Sequence, residues 1–215
     1  MKLEQGVRLA SELLGDLIDV CERVEVAGSI RRRKAEVKDI ELVLIPKWGD
    51  RVITGQASLL GPNTERVNLT RERILELQEG FRLNVIKPGT HDVVPWSIEA
   101  LGRYWRLWLP EARVKVDVFV CDESTWGLNL MIRTGSGVGP SGRPDDGFAP
   151  AMLSRWKVIS GGRSEGAMLR NATGGIVSTP EERDVFDACR VRWVEPERRI
   201  SARDVEAAAL LRVVS

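Results

Sequence analysis

Apolar positions recur at helical spacing from the first residues. Leu3, Val7, Ala10, Leu14 and Leu17 share one side, opposite Lys2, Glu4, Arg8, Glu12 and Asp16, which predicts an amphipathic helix. A short extended piece is expected at 24–27, then a polar segment at 28–34, then an apolar strand at 39–45 that Pro46 ends. Residues 47–70 are rich in Gly, Pro, Asn and Thr and read as a long irregular excursion. A helix is expected over 71–79 with Thr70 as its cap. Two extended runs follow, 104–109 and 114–120, joined by a turn at Pro110 and Glu111, and the second alternates with period two. So many Gly and Pro residues fall within 134–147 that regular structure is excluded there and a mobile loop is expected. Beyond it the pattern predicts a helix near 149–158 and a turn-rich hairpin over 161–178. The next helix opens with Thr179 as cap, Pro180 at the first helical position and Glu182 closing a capping box. A second box, Ser201 with Asp204, opens a last helix running through 207–211.

Composition narrows the class. The 215 residues, 43% apolar and 29% charged, suit one large domain or two small ones. The division expected is 1–136, a connecting loop at 137–148, and a small unit at 149–215. No apolar run approaches the roughly 20 residues of a bilayer span, so no membrane partner is expected. The opening residues lack the apolar core of a secretory signal, so a cytoplasmic protein is expected. Cys21, Cys121 and Cys189 are far apart and odd in number, against both a disulfide scaffold and a cysteine-built zinc site. His91 is the only histidine, which removes Ser–His and His–metal chemistry, and it reads as a loop residue. A net charge of +1 leaves a nucleic-acid partner open, since a basic patch can sit inside a neutral total. Trp105, Trp108, Trp156 and Trp193 lie among apolar neighbours and read as core rather than as base-stacking platforms.

The candidate chemistry lies in the strands. Asp39 and Glu41 alternate so that both carboxylates project to one face, roughly 7 Å apart along the strand. Lys115, Asp117 and Phe119 share one face of the second strand. Were the two strands neighbours, three carboxylates would meet, and hard oxygen ligands of that kind suit Mg²⁺ or Mn²⁺. The alternative is a set of solvated strand-edge charges. The segment before the strand favours the first reading: Gly28 and Ser29 follow an extended piece, and five basic residues against one acid lie between Gly28 and Lys38. Backbone N–H groups, a hydroxyl and guanidinium forks can hold a polyphosphate.

Gly28-Ser29-x-Arg31-Arg32, with Asp39-x-Glu41 beginning eleven residues after the glycine, resembles the nucleotidyltransferase signature of the family X DNA polymerases, the DNA polymerase beta-like group. The resemblance continues in order with Lys115-Val116-Asp117-Val118, with Thr134-Gly135-Ser136, and with Pro180 to Asp187 followed by Trp193-Val194-Glu195-Pro196. It implies an α/β (α+β) fold: a nucleotidyltransferase palm with a mixed sheet, then a small C-terminal α+β domain covering the nucleotide. It also implies that Asp39, Glu41 and Asp117 bind two Mg²⁺ (or Mn²⁺) ions, with Asp117 helping to remove the primer hydroxyl proton. Gly28, Ser29, Arg32 and Lys38 would hold the phosphates. Thr134, Gly135 and Ser136 would lie under the sugar, with a cis peptide between Gly135 and Ser136. Lys115, Arg133 and Arg155 would contact DNA. The implied activity is that of a minimal DNA polymerase: deoxynucleoside triphosphates, a primer–template or gapped DNA, pyrophosphate released, and a monomeric enzyme serving repair.

Several positions depart from the family pattern. Glu41 replaces an aspartate, Lys38 a glycine, and Ile132 and Arg133 an aromatic pair. Phe148 and Ala149 lack the asparagine that reads the nascent pair, and with about 27 residues before Gly28 the family's N-terminal lyase domain and its activity are not expected. Two other classes stand beside the polymerase reading: a template-independent or non-DNA nucleotidyltransferase, and a nucleic-acid-binding module without catalysis.

Overall fold

The computed structural model describes residues 1–58, 61–87, 93 and 102–210, with backbone only at 53–58 and 61–62. His91 and the last residue of the expected C-terminal helix lie outside them. The elements in chain order are α1 (Leu3–Leu17), β1 (Cys21–Val26), α2 (Gly28–Arg31), β2 (Ile40–Pro46), β3 (Trp48–Ser58), β4 (Gly61–Asn68), α3 (Leu69–Glu79), β5 (Asn84–Val85), β6 (Tyr104–Leu109), β7 (Val114–Val120), α4 (Trp126–Thr134), α5 (Phe148–Ser160), β8 (Arg163–Glu165), β9 (Met168–Arg170), β10 (Ile176–Val177), α6 (Glu182–Ala188) and α7 (Ala202–Ala208). The result is a mixed α/β architecture of the α+β kind. No helix among the described residues is long and apolar enough to cross a membrane.

The central sheet has the order β1-β2-β7-β6-β5. β2 and β7 are parallel and every other neighbouring pair is antiparallel. Alternation sends Ile40, Leu42 and Leu44 of β2 and Val116 and Val118 of β7 to one face, where they pack with Leu9, Leu13 and Leu17 of α1 and Ile74 and Leu77 of α3. Val43 and Phe119 point the other way, against Trp126 and Leu130 of α4. Each such fully buried aliphatic side chain is worth about 1.5–3 kcal/mol. The C-terminal elements build their own core from Phe148, Met152, Val185, Phe186 and Val205, to which α4 contributes Leu128 and Met131. One helix thus serves two cores.

Several local expectations need correction. The buried face of α1 is set by Leu9, Ala10, Leu13 and Leu17, while Val7 is 44% exposed; the leucine row at i, i+4 and i+8 offers more apolar surface than the row containing Val7. Residues 47–70 hold the long antiparallel hairpin β3–β4. Asn68, not Thr70, caps α3 by accepting from the Arg71 N–H at 3.0 Å. Thr70 is buried and gives its hydroxyl proton to the Val20 carbonyl. α6 begins at Glu182 with Glu181 and Asp184 as its capping box. Thr179 cannot cap it, because its backbone is engaged with Ser124 and Gly127. α7 ends at Ala208 after the expected Ser201–Asp204 box.

Glu182 joins the two parts of the chain. Its carboxylate accepts two bonds from Arg31, each 2.9 Å, and two more from the fully buried Arg199. Removing one partner of a buried pair leaves an uncompensated charge and costs about 3–5 kcal/mol. Glu182→Ala is therefore expected to lose stability of that order in urea titration; a loss below roughly 1 kcal/mol would refute the bracing role.

Candidate functional site

The parallel register sets Glu41 directly opposite Asp117. Asp39 lies two positions before Glu41, so all three acids gather on the face that α4 covers farther along the strands. The Lys115 ammonium lies 2.9 Å from Asp39 Oδ2 and 2.9 Å from Asp117 Oδ2. Burial works against that ammonium, yet its bonds to Asp117 and Asp39 outweigh the penalty and raise its pKa. Asp117 Oδ1 accepts from the Tyr104 hydroxyl at 2.6 Å and from Arg106 Nε at 3.2 Å.

Glu41 is the least comfortable member. Burial first, then the charges of Asp39 and Asp117, push its pKa up to about 7, against the pull of Arg32 and Arg133. Those two guanidiniums are themselves held below their ordinary value by burial. Arg32 Nε, Arg133 Nε and the Ser29 hydroxyl are buried without a hydrogen-bond partner. The Arg133 guanidinium stacks 3.7 Å from the centre of the Phe119 ring. Gly28 has φ +63°, and a Cβ there would stand 1.8 Å from Glu41 Oε2. Only glycine lets this backbone approach the carboxylate so closely.

Among the described residues no three His, Cys, Asp or Glu side chains stand as a ready metal site. The positive group between Asp39 and Asp117 is the Lys115 ammonium, on a side chain 31% exposed. A hard divalent ion fits these donors: they are carboxylate oxygens only, and a cation already lies between two of them.

The residues expected to hold a nucleotide lie close by. Thr134 accepts from Arg31 at its hydroxyl, 2.8 Å, and from Arg32 at its carbonyl. The Ser136 hydroxyl donates to the Val138 carbonyl. The Gly135–Ser136 peptide is trans, not cis. Lys38 is exposed. Arg155 stands apart: its guanidinium donates to the carbonyls of Cys189, Arg190 and Leu210 and so fastens α5 to the end of α6 and to the chain beyond α7.

Two clefts flank the carboxylates and share Glu41 and Arg133 in their walls. One, of about 650 Å³, is lined also by Tyr104, Asp117, Phe119 and Asn129. The other, about 310 Å³, runs past Arg32 and Gly135 to Ala149, Pro150 and Leu153 of α5. A third cavity, of about 450 Å³, lies under α1 and α3, on the opposite face of the sheet from the acids.

No family model matches the chain, and none of the curated proteins compared with it matches.

The residue reading overlooked Tyr104 and Arg106. The signal was present: Leu109 pairs with Val114 across the turn, and counting back in antiparallel register sets Arg106 opposite Asp117.

Folding raises the Glu41 pKa to about 7 from an unfolded value near 4.3. The folded state therefore binds this proton more tightly, so the group's contribution to stability is full below about pH 4 and is lost as pH rises toward 7. In chelator-treated protein, Glu41→Gln is expected to exceed the wild type by roughly 2 kcal/mol at pH 8, discounted for solvent screening, and by almost nothing at pH 4. Urea midpoints at the two pH values check this. Gly28→Ala is expected to lose about 2–4 kcal/mol in the same assay, from the left-handed backbone and the clash together.

Proposed function

We propose that the chain is a divalent-cation-dependent nucleotidyltransferase of the DNA polymerase beta-like kind, adding deoxynucleotides to a primer 3′-hydroxyl and releasing pyrophosphate. The observation that carries the reading is the register of Glu41 against Asp117, which gathers three carboxylates beside the Gly28–Ser29 segment and its guanidiniums. Asp39, Glu41 and Asp117 would hold the cations, with Lys115 withdrawing from between them toward the acceptor's phosphate. Bound Mg²⁺ or Mn²⁺ would neutralise charge on the transferred phosphoryl group and make the acceptor hydroxyl more acidic. The orphaned Ser29 hydroxyl and Arg32 Nε are donors suited to the β and γ phosphates. Gly135, on the wall of the smaller cleft, would lie under the sugar, with the buried Thr134 and Ser136 holding it in place, and Arg133 would meet the nucleic-acid end. In the transfer, the acceptor oxygen bonds to the α-phosphorus, the bond to the bridging oxygen breaks, pyrophosphate departs, and Asp117 receives the hydroxyl proton.

A second reading has its own observation. The α5 wall of the smaller cleft is Ala149, Pro150 and Leu153, which offers a base no side-chain hydrogen bond. This favours a transferase that does not read a template, or one whose acceptor is not DNA.

Extension of a gapped duplex and of a single-stranded primer, each with four dNTPs or four NTPs and Mg²⁺ or Mn²⁺, separates these. Preference for the gapped duplex with dNTPs supports the polymerase; equal extension of the single strand supports the second reading. Absence of pyrophosphate release under every condition refutes both and leaves a binding module. Asp39→Ala and Asp117→Ala are each expected to lower the rate by roughly 10³-fold or more with the folded far-UV spectrum retained.

A further inference from the structure

We propose that Tyr104 and Arg106 are positioning residues that decide which oxygen of Asp117 faces Asp39. The proposal deepens the reading of this face as a cation-dependent transfer site and rests on it. β6 and β7 set Arg106 opposite Asp117 and Tyr104 opposite Phe119. The Tyr104 ring stacks on Phe119 with centroids 5.2 Å apart and planes at 26°, which aims its hydroxyl at Asp117 Oδ1. Arg106 reaches the same oxygen through Nε and donates from Nη2 to the Tyr104 hydroxyl. The three side chains close a ring of hydrogen bonds in which two donors saturate Oδ1. Oδ2 is left toward Lys115 and Asp39.

An aspartate's terminal torsion is broad, so an unsupported carboxylate would turn freely. Here both supports stand on a strand, which holds geometry better than a loop does. Arg106 could instead serve only to balance the buried charge of Asp117. A lysine at 106 would keep that balance and lose the fixed fork.

The test uses the full chain with Tyr104→Phe, with Arg106→Lys, and with both. Tyr104→Phe keeps the ring stack and removes only the hydroxyl, so it remains informative should the double variant fail to fold. Crystal structures of these variants are expected to show the Asp117 carboxylate turned away from Lys115. Mn²⁺ titration followed by electron paramagnetic resonance is expected to show binding weaker by about 10- to 100-fold in the double variant, with kcat reduced even at saturating Mn²⁺. An Asp117 orientation equal to the wild type overturns the proposal whatever the affinity. Failure of the wild type to bind Mn²⁺ refutes the cation-dependent function, while the crystallographic comparison still decides the positioning role.

Discussion

Two parallel strands that carry an acid at matching register cannot meet without electrostatic penalty. Like charges at about 4 Å repel by about 1 kcal/mol in water and by about 4 kcal/mol near a protein surface. The penalty falls where β2 lies beside β7, with Glu41 opposite Asp117 and Asp39 close by. Register admits no escape, because a one-residue slip of either strand would turn its own core residues, Leu42 and Leu44 or Val116 and Val118, out of the core. The charges must instead be met by other residues. Arg32 comes from the end of α2, Lys115 from β7 itself, Arg106 from β6 and Arg133 from α4, so four separate stretches converge on one end of one sheet face.

The same logic explains why the C-terminal elements cannot be treated apart. Arg31, next to Arg32, turns to other partners, Glu25 of β1 at 3.9 Å among them. It spans to Glu182 and to the Thr134 hydroxyl, while Arg199 holds Glu182 from the far side and packs against Phe186 and Trp193. A carboxylate that receives four guanidinium bonds has its burial compensated as fully as chemistry permits. The segment beginning at Gly28, the end of α4 and the start of α6 are thereby tied at one point. The close approach of Gly127 to Thr179, with its N–H 2.8 Å from that carbonyl, adds a second tie along the same seam.

Much of this was legible in the sequence where a short-range rule governs. Period-two alternation identified β7 and the shared side of Lys115, Asp117 and Phe119. The Ser201–Asp204 box located α7; glycine density marked the stretch before α5, although Thr134 there still belongs to α4 and Pro144–Asp146 form a 3-10 turn, against the expectation of no regular structure. What escaped was decided by distant partners. Thr179 and Glu182 look like a helix start, but Thr179 is held by Ser124 and Gly127, so the cap passes to Glu181. Arg155 was expected to contact DNA, and the carbonyls of Cys189, Arg190 and Leu210 claim its guanidinium. The β3–β4 hairpin was hidden because Gly, Pro, Asn and Ser are scattered along it and leave only the short β-branched run Val52 to Thr54 as a strand signal. For the candidate site, alternation gave the shared face of Asp39 and Glu41 and that of Lys115, Asp117 and Phe119, and the pairing of β2 with β7 brings the two together; the Tyr104–Arg106 support needed the register of a hairpin.

The unpartnered polar atoms give the last step. A buried donor left without an acceptor costs about 1–3 kcal/mol, and proteins rarely keep several together unless the site has another use for them. Arg32 and Arg133, each with an unpartnered Nε, act on Glu41, whose own proton is held to about pH 7 by its surroundings, and the unpartnered Ser29 hydroxyl follows Gly28, the residue that admits that carboxylate. On the proposed reading these two unfavourable features have one remedy. An arriving polyphosphate supplies acceptors for the idle donors, and the cations that accompany it favour the ionised form of Glu41. Neither component alone relieves both. On that reading anion and cation would bind cooperatively, because each would remove a penalty that opposes the other. That coupling follows from residues at fixed positions in the fold: Gly28 admitting Glu41 against the backbone, and β7 presenting Asp117 beside it.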